Sequence, residues 1–132
     1  MIDPLAGLSI LVLEDEYLIA MDVEQLCLDH GASGVTISRT VDELGPDPLT
    51  TLAFDAAILD MRLGGASTLP FGAKLLAAGR PFVFATGYSD TAEIMNDFPG
   101  VEIVNKPYNG TDLIGALHRA VRRNGAGAGS VS

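Results

Sequence analysis

The chain has one cysteine, Cys27, and no tryptophan in 132 residues, and its 8 basic residues face 17 acidic ones. A single thiol excludes an intramolecular disulfide and a thiolate metal cluster, and leaves a reducing, cytoplasmic setting as the expectation. The scarcity of Lys and Arg, with a net charge of −9, argues against a nucleic-acid partner, because phosphate-backbone binding needs clustered cations. No apolar run approaches the ~18 residues of a membrane span, so no membrane partner is expected. The longest run, Leu8 to Leu13, is broken by Ser9. The opening residues, MIDPLAG, carry no basic residue ahead of an apolar stretch and lack the form of a secretory signal. What is present is 48% hydrophobic residues, enough to pack one core in one domain and too many for a disordered chain.

Charge is unevenly placed. Residues 1–60 hold twelve carboxylates and one base, Arg39, for −11, whereas residues 61–132 hold five carboxylates and seven bases, for +2. An acidic half on a small domain is compatible with a solvated face, a cation site or a docking surface.

Two hydrophobic rhythms alternate along the chain. Leu8–Leu13 is a short apolar run that stops at Glu14-Asp15-Glu16, as a strand buried on both faces does. From Glu16 to His30, Ile19, Val23, Leu26 and Cys27 recur at helical spacing, and Gly31 follows as a C-terminal cap. Gly34–Ser38 reads as a second strand. Residues 40–52 have room for one short helix, because Gly45, Pro46 and Pro48 interrupt them. Ala56–Leu59 is a third strand, ending at Asp60. A Gly64-Gly65 loop then leads to a helix over 67–78, with Pro70 in its first turn and Gly79 beyond its end. Pro81–Ala85 is a fourth strand and 89–96 a short helix stopped by Pro99-Gly100. Val101–Val104 is a fifth strand and Asp112–Arg123 a last helix carrying Leu113, Ile114, Leu117 and Val121 on one face. The domain is expected to span residues 1–124, with a flexible Gly/Ala/Ser tail at 125–132.

Strands and helices in alternation, joined by short connections, predict an α/β fold: a five-stranded parallel sheet with helices on both faces. The doubly wound, flavodoxin-like order is 2-1-3-4-5, with ligands held beyond the carboxyl ends of the strands at the switch between strands 1 and 3. The residues at those ends are Glu14-Asp15, Asp60, Thr86 and Lys106. Clustered carboxylates repel one another unless a cation is present, and hard oxygen ligands without Cys or His select Mg²⁺ or Mn²⁺. Asp15 and Asp60 are the candidate direct ligands, Glu14 one at longer reach or through water, and the Arg62 backbone carbonyl a further oxygen. Lys106 and the Thr86 hydroxyl form the anion side of the pocket. Asp60, alone at the end of a buried strand, is the candidate nucleophile towards phosphorus, giving an aspartyl-phosphate.

Each residue also has an ordinary reading. Glu14 to Glu16 suit the N-terminal dipole of the helix that follows, Asp60 a loop, Thr86 a turn and Lys106 a solvated surface. Their joint placement at successive strand ends is what points to a site. Arg119, Arg122 and Arg123 read as surface residues complementing the last helix, His30 and His118 as surface or capping residues, and Cys27 as a small core residue.

At this point the chain resembles the receiver domains of bacterial two-component response regulators. The resemblance covers residues 7–123 and rests on Glu14-Asp15-Glu16, Asp60, Thr86 and Lys106-Pro107 in order. It implies that Asp60 is the phosphoacceptor, that Glu14 and Asp15 hold Mg²⁺, and that Thr86 and Lys106 bind the phosphoryl group. It also implies a cis peptide at Pro107. The string Pro81 to Tyr88, PFVFATGY, is similar to that of a mostly single-domain subgroup with a Phe-Ala-Thr-Gly-x-Tyr-like motif. Departures from the family pattern are the absence of a Met-Pro pair after Asp60 and Ile103 in place of an aromatic residue three positions before Lys106. The switch role is accordingly expected at Thr86 and Tyr88. The implied partner is a histidine kinase or histidine phosphotransfer protein, with output through a protein target, a homodimer, or a shuttle or sink role, since no DNA-binding domain follows residue 123. On this reading the chain is no enzyme beyond its own phosphotransfer and dephosphorylation. Two other readings stay open: a receiver-like binding module that is not phosphorylated, and a Mg²⁺-dependent hydrolase with an aspartate nucleophile. The hydrolase usually needs a second acid where Arg62 stands.

Overall fold

A computed structural model describes the backbone of residues 3–106 and 109–130, with side chains except those of 88, 89 and 124–130. Five parallel strands form the central sheet: β1 (Ser9–Leu13), β2 (Gly34–Ser38), β3 (Ala56–Leu59), β6 (Phe82–Thr86) and β7 (Glu102–Asn105). Their order is β2-β1-β3-β6-β7, the 2-1-3-4-5 arrangement expected from the alternation. Between them run α1 (Tyr17–Asp29), α2 (Pro48–Thr51), α3 (Leu69–Ala78) and α4 (Tyr88–Asp97), and α5 (Gly110–Ser130) follows the last strand. Among the described residues no helix is long and apolar enough to cross a membrane.

Alternation along the strands divides the core into two layers. Ile10, Val12, Ala56, Ile58, Val83 and Ala85 pack with Val23 and Cys27 of α1 and with Leu113, Ile114 and Leu117 of α5. The opposite strand positions, Leu11, Leu13, Ala57, Leu59, Phe82 and Phe84, pack with Phe71 and Leu75 of α3 and Ile94 of α4. The first layer is aliphatic; the second holds all five phenylalanines, Phe54, Phe71, Phe82, Phe84 and Phe98. Phe84 and Phe98 meet edge to face at 5.3 Å between ring centres, an arrangement that adds roughly 0.5–1.5 kcal/mol to their burial. Burial pushes the Cys27 thiol up to about 12, so it remains a neutral core group at physiological pH.

The structure differs from the sequence reading in local places. The segment read as a Gly64-Gly65 loop is a hairpin, β4 (Arg62–Leu63) paired antiparallel with β5 (Ala66–Ser67). Gly64 and Gly65 have φ of 55° and 87°, the positive values a tight two-residue hairpin turn requires at both central positions. The hairpin delays α3 to Leu69. The helix read as short, 89–96, is ten residues long, the same as α3, because Ile94 is fully buried and anchors its middle. The last helix begins two residues early, since the Asn109 side chain accepts the Asp112 amide at 2.8 Å as an N-terminal cap. It continues past Arg123 to Ser130, across the Gly/Ala/Ser segment assigned to a tail; once nucleated by its packed face, each further helical residue adds one backbone bond.

Candidate functional site

The carboxyl edge of the sheet is built so that the residues after β1, β3 and β7 each keep a ladder bond. The amide of Glu14 donates to the Ser38 carbonyl at 3.1 Å, that of Asp60 to Leu13 at 3.0 Å, and that of Lys106 to Thr86 at 2.7 Å. The backbones carrying the charged side chains are therefore as fixed as the sheet, although they stand at its rim.

From that rim, Lys106 Nζ donates to Glu14 Oε1 and to Asp60 Oδ2, both at 2.8 Å. The second oxygen of Glu14 accepts the Glu16 amide at 3.1 Å, and Asp60 Oδ1 accepts the Arg62 amide at 3.3 Å. Asp15 Oδ2 accepts the Gly64 amide at 2.8 Å, which ties the β4–β5 turn to the loop after β1. One carboxylate oxygen from each of Glu14, Asp15 and Asp60 can be chosen so that all lie within 4.8 Å of one another. Three acids thus cluster beside one ammonium that bonds two of them, leaving a local excess of negative charge.

Burial sets the electrostatics. The Glu14 side chain is only 4% exposed, against 17% for Asp60 and 22% for Lys106. Burial raises the Glu14 pKa above its ordinary value, outweighing the Lys106 and Glu16 bonds that favour its charged form. Burial alone would lower the Lys106 pKa. Its bonds to Asp60 and Glu14 and their charges overcome this and hold it above the usual lysine value, so the cation persists through the neutral range. Glu14 accordingly acts as the buried anchor of Lys106, while Asp60 and Asp15 retain access to solvent.

The structure brings together Glu14, Asp15, Asp60 and Lys106, and Arg62 joins them through its amide. Thr86 is the last residue of β6 and is 1% exposed; its hydroxyl donates towards Asp90 Oδ2 at 3.5 Å, a long and weak contact. The side chain of Tyr88 and all of Pro107 lie outside the described residues. Three residues that sequence reasoning did not assign to the site shape the rim. Thr68, 1% exposed, has its hydroxyl between the Asp60 and Met61 carbonyls at 2.6 and 3.0 Å and so fixes the turn after β3. Gly64 supplies the amide for Asp15. Arg39 donates to the Asp15 carbonyl at 3.4 Å and lies 6.0 Å from the Tyr17 ring centre. The Gly-Gly pair between short extended flanks was the available signal for the hairpin; nothing local marked Thr68 or Arg39.

An oxygen-only set of three acids suits a hard divalent cation such as Mg²⁺. The set fits that group with one qualification: Glu14 is nearly buried, whereas Asp15 and Asp60 are more open to solvent and so have the better claim to direct contact.

No family model and no curated protein matches this chain. Solved structures do. A response regulator receiver domain protein from Clostridium thermocellum is 22% identical, with 89% of this chain and 97% of that one covered and a TM-score of 0.75. The receiver domain of the response regulator PhyR from Erythrobacter litoralis is 23% identical over 89% of this chain and 92% of that one, at a TM-score of 0.68. The fold is therefore that of response regulator receiver domains. SdrG from Sphingomonas melonis Fr1 is 35% identical, with 92% of this chain and 99% of SdrG covered and a TM-score of 0.68. At that identity over nearly the whole of both chains, the protein belongs to the same family as SdrG.

Proposed function

We propose that this protein is a receiver that accepts a phosphoryl group on Asp60 and signals through protein contacts or passes the group on. The observation that carries this reading is the Lys106 ammonium held at 2.8 Å from both Asp60 and the buried Glu14, beside a third acid, on a receiver fold. Asp60 is partly open to solvent, so a donor can reach it. In the transfer, an Asp60 carboxylate oxygen bonds to phosphorus as the phosphorus–nitrogen bond of a phosphohistidine breaks, and the departing imidazole takes up a proton. Lys106 is placed to neutralise phosphoryl oxygen charge as it develops beside Asp60. Thr86 joins it once its hydroxyl turns from Asp90. Asp15 and Asp60, with Glu14 and the Arg62 carbonyl as further oxygens, would hold Mg²⁺, which would supply further neutralisation of phosphoryl charge. The donor is a histidine kinase or histidine phosphotransfer protein, and Tyr88 shares the switch role with Thr86.

The test uses the full chain with Mg²⁺ and acetyl phosphate, read by intact mass. The expected product is a single phosphoryl adduct, acid-stable and base-labile, absent from Asp60→Ala and suppressed by chelation. No adduct, or an adduct that persists in Asp60→Ala, overturns the reading.

A further inference from the structure

Among the described residues, a short side-chain hydrogen bond fastens the strand that delivers Lys106 to α4. Thr91, in the first turns of α4, donates its hydroxyl to Asn105 Oδ1 at 2.6 Å. Asn105 is the last residue of β7 and immediately precedes Lys106. It is paired in the sheet opposite Thr86, and the Lys106 amide bonds the Thr86 carbonyl at 2.7 Å. A continuous path thus runs from Asp60 through the Lys106 ammonium and the end of β7 to the Thr91 hydroxyl and α4. The bond is partly buried and short, so it is directional and poorly replaced by water.

The same two residues border a surface cleft of about 460 Å³ between α4 and β7, lined also by Met95, Phe98, Val101 and Ile103. Met95 is 60% exposed there. The shape of this cleft depends on where α4 sits against β7, and among the described residues the Thr91–Asn105 bond is the side-chain hydrogen bond between them. Moving the end of β7 therefore moves α4 or breaks the bond.

We propose that Thr91 and Asn105 are a positioning pair that couples the state of Lys106 to the placement of α4. This inference rests on the phosphoacceptor reading of Asp60. When Lys106 shifts from Asp60 and Glu14 towards a phosphoryl oxygen, the end of β7 shifts with it, and the Thr91 bond carries the change into α4 and its cleft. Coupling of this kind is reciprocal: α4 placement biases the Lys106 position in turn. Without the bond the two ends move independently.

The test reads hydrogen exchange of the full chain by mass spectrometry, with and without excess acetyl phosphate and Mg²⁺, alongside intact mass in the same samples. In the wild-type chain, exchange across 88–97 should change about fivefold or more on phosphorylation, the lower end of ordinary coupling strengths. Thr91→Ser keeps the donor and should keep that response. Thr91→Val and Asn105→Ala should each form the adduct and respond around Asp60–Gly65, yet lose most of the α4 response. The double variant should lose no more than either single one. Full α4 response in Thr91→Val, or equal loss in Thr91→Ser, overturns the coupling while the Asp60 reading stands. Absence of any adduct in the wild type overturns the Asp60 reading and the coupling with it.

Discussion

The two ends of the sheet are built from the same strands and put charge to opposite uses. At the amino end, ionic groups bond to backbone or to each other on an open edge. The Asp55 carboxylate accepts the Ser9 amide at 2.9 Å, Arg80 donates to the Phe54 carbonyl at 2.8 Å, and Arg119 and Arg123 share Glu102 while remaining 60% and 58% exposed. An arm before β1 folds beneath the sheet there, with Leu5 fully buried and the Gly7 amide on the Gly31 carbonyl. At the carboxyl end three acids cluster together, two of them sharing one lysine, with Glu14 taken almost wholly out of water. One end closes the core. The other holds charges close together, at a cost in stability that the fold does not need to incur for its own sake.

Breaking the carboxyl end should give the larger effect. Lys106→Ala leaves Glu14 and Asp60 facing each other without their shared cation. The adduct should form on the order of 10²-fold more slowly, because a positioned charge in the transition state is lost. Stability at pH 7 should fall by roughly 3 kcal/mol, the cost of orphaning a buried charge, measured by denaturant unfolding with a chelator present. The sign with pH follows from the raised Glu14 pKa. A group whose folded pKa lies above its unfolded value favours folding at low pH and loses that advantage as pH rises. Removing Lys106 raises Glu14 further, so the variant's deficit should narrow as pH falls towards the carboxylate range. A deficit that widens on acidification contradicts the assignment of Glu14 as the buried partner.

Breaking the amino end should cost stability and leave chemistry alone. Leu5→Ala should lower unfolding stability by about 2–4 kcal/mol, the price of emptying a fully buried leucine site, with the adduct rate unchanged under conditions where the chain is folded. The smallest effect is expected at Glu102. Its two arginine partners are largely exposed, so Glu102→Ala should cost under about 1 kcal/mol and leave phosphorylation as it was. An adduct rate that falls in either variant would mean that the two ends are not separable as described.

The contrast also explains what the sequence made legible. Strand ends are visible because an apolar run stops at a charge, so Glu14-Asp15, Asp60 and Lys106 are legible in the sequence, and the alternation points directly to the 2-1-3-4-5 order. The bonds that hold these residues in place are side chain to backbone, or cross distant segments: Thr68 over the Asp60 carbonyl, the Gly64 amide on Asp15, Thr91 on Asn105. Such contacts leave no period in the sequence and involve residues whose commonest use is a turn or a surface. The hairpin at 62–67 was missed for a related reason, since two-residue strands are too short to show alternation. The Asn109 cap was legible in principle, because Asn three residues before Asp112 is a helix-start pattern.

The central claim is that Asp60 itself forms the bond to phosphorus, and reductive mapping addresses it without a variant. Borohydride converts an acyl phosphate to the corresponding alcohol, so treating the phosphorylated chain and sequencing its peptides should place homoserine at position 60 and nowhere else. Homoserine at Asp15 or another acid, or an unreduced Asp60 in a chain that carries the adduct, would contradict the account.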